Sequence, residues 1–139
     1  MLIGRISGNF RHLLPLARNH NLRVIAVNRR DYVGSTPFSQ DELDAINSTD
    51  AQRHTEFLKR RGTEIGEFLT QLVKEKNLPP ASGDGRSGGL ALMGWSLGNV
   101  TTLAFLRHLR SYPENVLKTL DQYLRTFFIY GMLLPHRLR

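Results

Sequence analysis

The sequence contains no cysteine. That absence removes disulfide frameworks, thiolate metal sites and thiol nucleophiles together, and it agrees with a reducing compartment such as the cytoplasm. Long hydrophobic runs are missing as well. The densest stretch, Phe127 to Pro135, falls well short of the roughly 18 consecutive apolar residues that a membrane-spanning helix needs, so no transmembrane segment is expected. Blocks of like charge are also lacking. The first thirty positions hold no acidic side chain, yet their bases, Arg5, Arg11, Arg18, Arg23, Arg29 and Arg30, stand mostly as singletons among apolar residues. The opening M-L-I-G-R-I-S lacks the apolar core of a secretory signal, although its Arg, its Ser and its want of acid are faintly those of a mitochondrial presequence.

What is present is one domain's worth of chain. The 139 residues are 40% hydrophobic and 22% charged, a globular balance. The formal net charge of +7 raises the question of a polyanion partner, because a basic face is the footprint of a nucleic-acid binder. The excess base is split between the two ends of the chain, and no nucleic-acid motif accompanies it. A solvated surface lacking some acidic counterpart is the reading adopted, with no nucleic-acid partner expected. Polyanion binding would show itself as retention that weakens steeply with salt.

Periodicity sketches the elements. Phe10 to Ala17 reads as a short helix if Pro15 falls in its first turn. Leu22 to Asn28 (L-R-V-I-A-V-N) is a compact β-branched run that reads as a buried parallel strand, followed by an irregular turn through Gly34 and Pro37. Ser39 and Glu42 have capping-box spacing ahead of a helix to Ile46. From His54 to Lys76 apolar residues recur at helical spacing, and Gly62 and Gly66, one turn apart, point to close packing. Asn77 to Gly89 is a Pro, Gly and Ser linker without the G-K-[ST] ending of a phosphate loop. Then follow a strand at Leu90 to Met93, a helix at Asn99 to Arg110, a helix at Glu114 to Leu124 and a strand at Thr126 to Tyr130. The alternation predicts an α/β fold of about three parallel strands with flanking helices.

Between Met93 and Asn99 lies Gly94, Trp95, Ser96, Leu97, Gly98, a G-x-S-x-G placed directly after a strand and before a helix. A tight turn there strains the serine backbone, and side chains two residues to either side would collide with the strand and the helix, which calls for glycine at 94 and 98. The Ser96 hydroxyl is then exposed, and the Leu97 N–H at the helix start points to where an oxyanion would form. The chemistry implied is acyl transfer through a serine ester. Trp95 reads as a pocket or packing residue. No cofactor motif is present, and the histidines show no metal-ligand spacing.

On these residues the chain resembles the α/β-hydrolase fold family. It is similar to fungal α/β-hydrolases in which N-R-R-D-Y-x-G-S-T-P, here Asn28 to Pro37, and G-W-S-L-G-N, here Gly94 to Asn99, occur together. The resemblance implies a serine hydrolase acting on a small-molecule ester or other acyl substrate, with Ser96 as nucleophile, the Leu97 N–H in the oxyanion hole, and a partial hydrolase fold.

The same resemblance calls for an acid and a histidine after Ser96, in that order. His108 lies twelve residues along, too far down the following helix to reach back. His136 falls in the tail, Asp121 on a helix and Glu114 in a connection, and where related sequences carry Asp after the last strand's Tyr this chain has Gly131. Only Ile3, Gly4 and Gly8 stand where a second oxyanion loop would be. Arg29, Arg30 and Asp31 read as a structural ion-pair turn. Residues 1–139 are therefore expected to be the middle of a larger hydrolase domain, lacking its N-terminal strands and C-terminal Asp and His, and inactive alone. The alternative is a non-catalytic hydrolase-like binding or interaction protein.

Overall fold

The computed structural model describes Phe10 and residues 12–131. The chain divides into two compact units between Asn47 and Ser48.

In the first unit, α1 spans Leu13–Asn19. Pro15 lies in its first turn, where a missing N–H breaks no helical bond. The helix closes with the His20 and Leu22 N–H groups donating to the Ala17 carbonyl at 3.1 and 2.8 Å, and Asn21 adopts a left-handed conformation (φ 54). Helix α2 spans Gln40–Ile46 and carries the expected capping box. The Ser39 hydroxyl accepts from the Glu42 N–H, and the Ser39 N–H donates to Glu42 Oε2 at 2.8 Å.

The expected strand at Leu22 to Asn28 does not form. No residue there belongs to a sheet, and Leu22 and Val27 are 65% and 57% exposed. A β-branched run supplies propensity, but a strand exists only through a ladder, and this unit holds no second strand among its described residues. The ion-pair turn is corrected too. Arg30 pairs with Glu42 at 2.8 Å rather than with Asp31, and Arg29 lies over the Tyr32 ring and donates to its hydroxyl at 2.9 Å. Asp31 serves through its backbone, turning the chain at φ 66 and donating its N–H to the Thr36 carbonyl.

The second unit opens with α3, Ala51–Lys76, three residues earlier than the apolar pattern predicts. Its first turn is polar, and the start is set by Asp50, whose Oδ1 accepts from the Gln52 N–H at 2.8 Å. Asn77, left-handed at φ 46, ends it. The glycine pair does mark a close approach: a Cβ on Gly62 would lie 2.8 Å from the Tyr112 hydroxyl and 2.9 Å from the Ala104 carbonyl, and one on Gly66 3.2 Å from Val116. The polar segment that follows is a folded loop rather than a loose linker. Ala81 N–H donates to Gln122 O and Gly89 N–H to Pro79 O, while the Arg125 guanidinium donates to Ser87 O at 3.3 Å. The Asp84 carboxyl is held below its ordinary range, first by the Ser82 hydroxyl and then by the Arg86 N–H.

Strand β1 (Leu90–Trp95) leads to α4 (Gly98–Arg107), a short 3-10 turn at Leu109–Ser111, α5 (Glu114–Tyr123) and β2 (Leu124–Tyr130). The two strands pair in parallel from Leu90 against Leu124 to Trp95 against Tyr130. This corrects the expected fold class: among the described residues the sheet has two strands, not three, and most of these residues are helical. A parallel pair needs a crossover, which α4 and α5 provide. Leu69, Phe105, Tyr112, Val116 and Leu120 form the core, with Leu90, Leu92, Leu124 and Phe127 packed on it from the sheet. Among the described residues no helix is long and apolar enough to cross a membrane.

Tyr112 donates its hydroxyl to the buried Phe105 carbonyl at 2.9 Å. Burial pushes this phenol from 10.0 up to about 12, because the phenolate would lose its hydration. The folded state holds the proton more tightly than the unfolded chain does. Stability is therefore complete below pH 10.0 and falls as pH rises toward about 12. Urea denaturation at neutral pH and at pH ~11 should show this decline in the native chain and a smaller one in Tyr112→Phe.

Candidate active site

The turn between β1 and α4 is only two residues long, because the strand continues to Trp95 and the helix begins at Gly98. Ser96 occupies it in the left-handed region at φ 51. Among the described residues, the other non-glycine residues with positive φ are Asn21, Asp31 and Asn77. Asn and Asp enter that region readily because their short side chains bond locally, whereas serine does not share the preference. Ser96 is thus the strained residue of the set, at a cost of about 1–3 kcal/mol.

Backbone bonds hold it there. The Ser96 N–H donates to the Tyr130 carbonyl at the end of β2, 3.0 Å away, and the Ser96 carbonyl accepts from the Asn99 N–H at 3.0 Å. The side chain is left exposed. Leu97, also exposed, already has helical backbone angles (φ −61, ψ −21) and brings its N–H to the positive end of the α4 dipole.

The flanking residues divide. Gly94 is required: a Cβ there would run into Asn99 Oδ1 and lie 2.8 Å from Thr102 Oγ1 and 3.0 Å from Asn99 Cα. Gly98 is not, since a Cβ at that position meets nothing within 4 Å. The symmetrical demand for glycine expected from the motif is corrected on that side. Trp95 is 38% exposed, and its ring borders Gly131, where a Cβ would sit 3.3 Å from Cδ1 and Nε1. Gly131 itself has φ 65, so the chain leaves β2 through a turn that suits glycine at the position where the resemblance places an aspartate.

Among the described residues that follow it, His108 and Asp121 are not brought to Ser96. His108 caps the far end of α4, about 15 Å away along the helix. Asp121 lies just before Leu124, which pairs with Leu90 at the opposite end of the strands from Trp95, about 17 Å off by strand rise. Glu114 opens α5. His136, Ile3, Gly4 and Gly8 lie outside the described residues. No described side chain hydrogen-bonds the Ser96 hydroxyl, and no three described His, Asp or Glu side chains group as a metal site would need.

Sequence reading missed Asn99, which is 1% exposed and donates Nδ2 to the Tyr130 carbonyl at 3.0 Å. The available signal was an amide residue on the apolar side of a short helix, directly after the motif. No protein-family model, curated protein or solved structure matches the chain.

Proposed function

We propose that Ser96 is the nucleophile position of a serine-hydrolase elbow of the α/β-hydrolase kind, shaped for acyl transfer from an ester or related acyl substrate. The observation that carries this reading is Ser96 itself, a non-Asx residue held at φ 51 between a strand and a helix where glycine would sit without strain. Strain kept at one exposed hydroxyl, against the tendency of sequences to relieve it, is what a reactive residue calls for. In the reaction Ser96 Oγ would bond to the acyl carbon, the carbonyl oxygen would take negative charge near the Leu97 N–H and the α4 dipole, and the leaving alcohol would depart.

The hydroxyl proton then needs an acceptor, and the described candidates His108 and Asp121 stand at the far ends of their elements. On this reading the chain by itself is expected not to turn over an ester. A fluorophosphonate probe should label it weakly or not at all. Strong labelling that disappears in Ser96→Ala would contradict the inactivity while supporting the nucleophile.

One observation favours a second reading, a non-catalytic interaction protein that keeps the turn as architecture. Met93 and Trp95 on β1 and Phe128 and Tyr130 on β2 are paired neighbours across the strands and all exposed, and contiguous apolar surface of this kind suits a docking partner. On that reading Ser96 reacts no faster than any other exposed hydroxyl.

A further inference from the structure

A two-residue turn has few means of holding one residue left-handed, and here most of them converge on Asn99. Its backbone N–H donates to the Ser96 carbonyl at 3.0 Å. Its side-chain Nδ2 donates at 3.0 Å to the Tyr130 carbonyl, the same oxygen that accepts the Ser96 N–H. Its Oδ1 lies against Gly94, filling the space a Cβ would take. One side chain thus touches the strand before the serine, the strand end beside it and, through its backbone, the serine peptide.

This side chain is costly as mere filling. It is 1% exposed, and its Oδ1 has no hydrogen-bond partner among the described residues. A buried amide with an unpaired acceptor is less favourable than an apolar group of the same shape. From this juxtaposition we infer that Asn99 is a positioning residue: by gripping the Tyr130 carbonyl it draws the first turn of α4 onto the end of β2 and locks Ser96 into its left-handed conformation with the hydroxyl outward. The consequence for reactivity rests on the reading of Ser96 as nucleophile; the consequence for conformation does not.

The test uses the full chain and Asn99→Leu, which keeps the volume and removes the donor. A positive φ gives Ser96 a strong intraresidue HN–Hα NOE, and its hydrogen bond slows amide exchange. In a variant whose circular dichroism and remaining amide spectrum are native, the NOE should weaken and Ser96 exchange should accelerate about tenfold. Any fluorophosphonate labelling of Ser96 should fall in parallel. A folded Asn99→Leu with an unchanged Ser96 NOE and exchange rate overturns the inference. If the variant fails to fold, the native chain decides: slow exchange of the Asn99 side-chain amide with a scalar coupling to the Tyr130 carbonyl supports the clamp, and a rapidly exchanging, uncoupled amide overturns it. An unlabelled Ser96 is the expected result for a chain whose serine has no base in reach and leaves the NOE and exchange measurements fully informative; the nucleophile reading stands or falls separately, on the acylation rate of Ser96→Cys.

Discussion

Phe105→Ala should cost the second unit about 3–5 kcal/mol, the range for removing a fully enclosed phenylalanine. Phe105 is 0% exposed, and its ring lies 5.6 Å from that of Tyr112 and 5.9 Å from that of Phe127. It therefore joins α4 to the connection ahead of α5 and to β2, and it shares the core with Leu69 of α3. Gly62 and Gly66 bring α3 close to the same place, so the walls of the cavity are backbone and tightly placed side chains that have little room to collapse. Against a typical total of about 5–15 kcal/mol, the loss should move the urea midpoint sharply or abolish cooperative unfolding. A change under about 1 kcal/mol would mean that Phe105 is not the centre of the core.

The two glycines that flank the turn should respond differently. In Gly94→Val the first added carbon meets Asn99 Oδ1 and Asn99 Cα, which are anchored by α4, and the branch adds to the overlap. A loss of about 1–3 kcal/mol or more is expected, because neither neighbour is the loose end of a flexible side chain. Gly98→Ala places its methyl in open space at the first position of α4, where at most the advantage of about 0.5–1 kcal/mol that alanine has over glycine inside a helix is available, so that variant should be neutral or slightly more stable. Denaturation of both measures the sign directly. Similar losses in the two would restore the symmetrical glycine requirement.

This contrast also shows where the sequence was legible. The cap at Ser39, the end of α3 before the segment that starts at Asn77, the glycine pair of α3 and the strand-turn-helix around Ser96 are local, each dictated by residues within a few positions, and they could be read directly. Leu22 to Asn28 could not, because a strand depends on a distant partner and composition reports only the willingness to pair. The ends of β1 and β2 ran longer than their apolar cores for the same reason, since ladder bonds carry Gly94, Trp95 and Leu124 along. Of the site, Ser96 and Leu97 were visible in the motif. Asn99 was hidden because its importance lies in a bond to Tyr130, thirty-one residues away, and Gly98 was overvalued because the motif's letters say nothing about which neighbour is near.

The central claim concerns the reactivity of position 96, and the absence of native cysteine makes a direct measurement possible. Ser96→Cys introduces a single thiol whose proton leaves without help from a histidine. The N-terminal end of α4 should lower its pKa and raise the share of thiolate. With p-nitrophenyl acetate the thiolate should bond to the acyl carbon and release one p-nitrophenolate per chain, leaving a thioester and no turnover. The account predicts that this burst is about tenfold or more faster at neutral pH than in Ser111→Cys, an exposed position at the end of the 3-10 turn. Equal rates, with an ordinary thiol pKa at position 96, would contradict it.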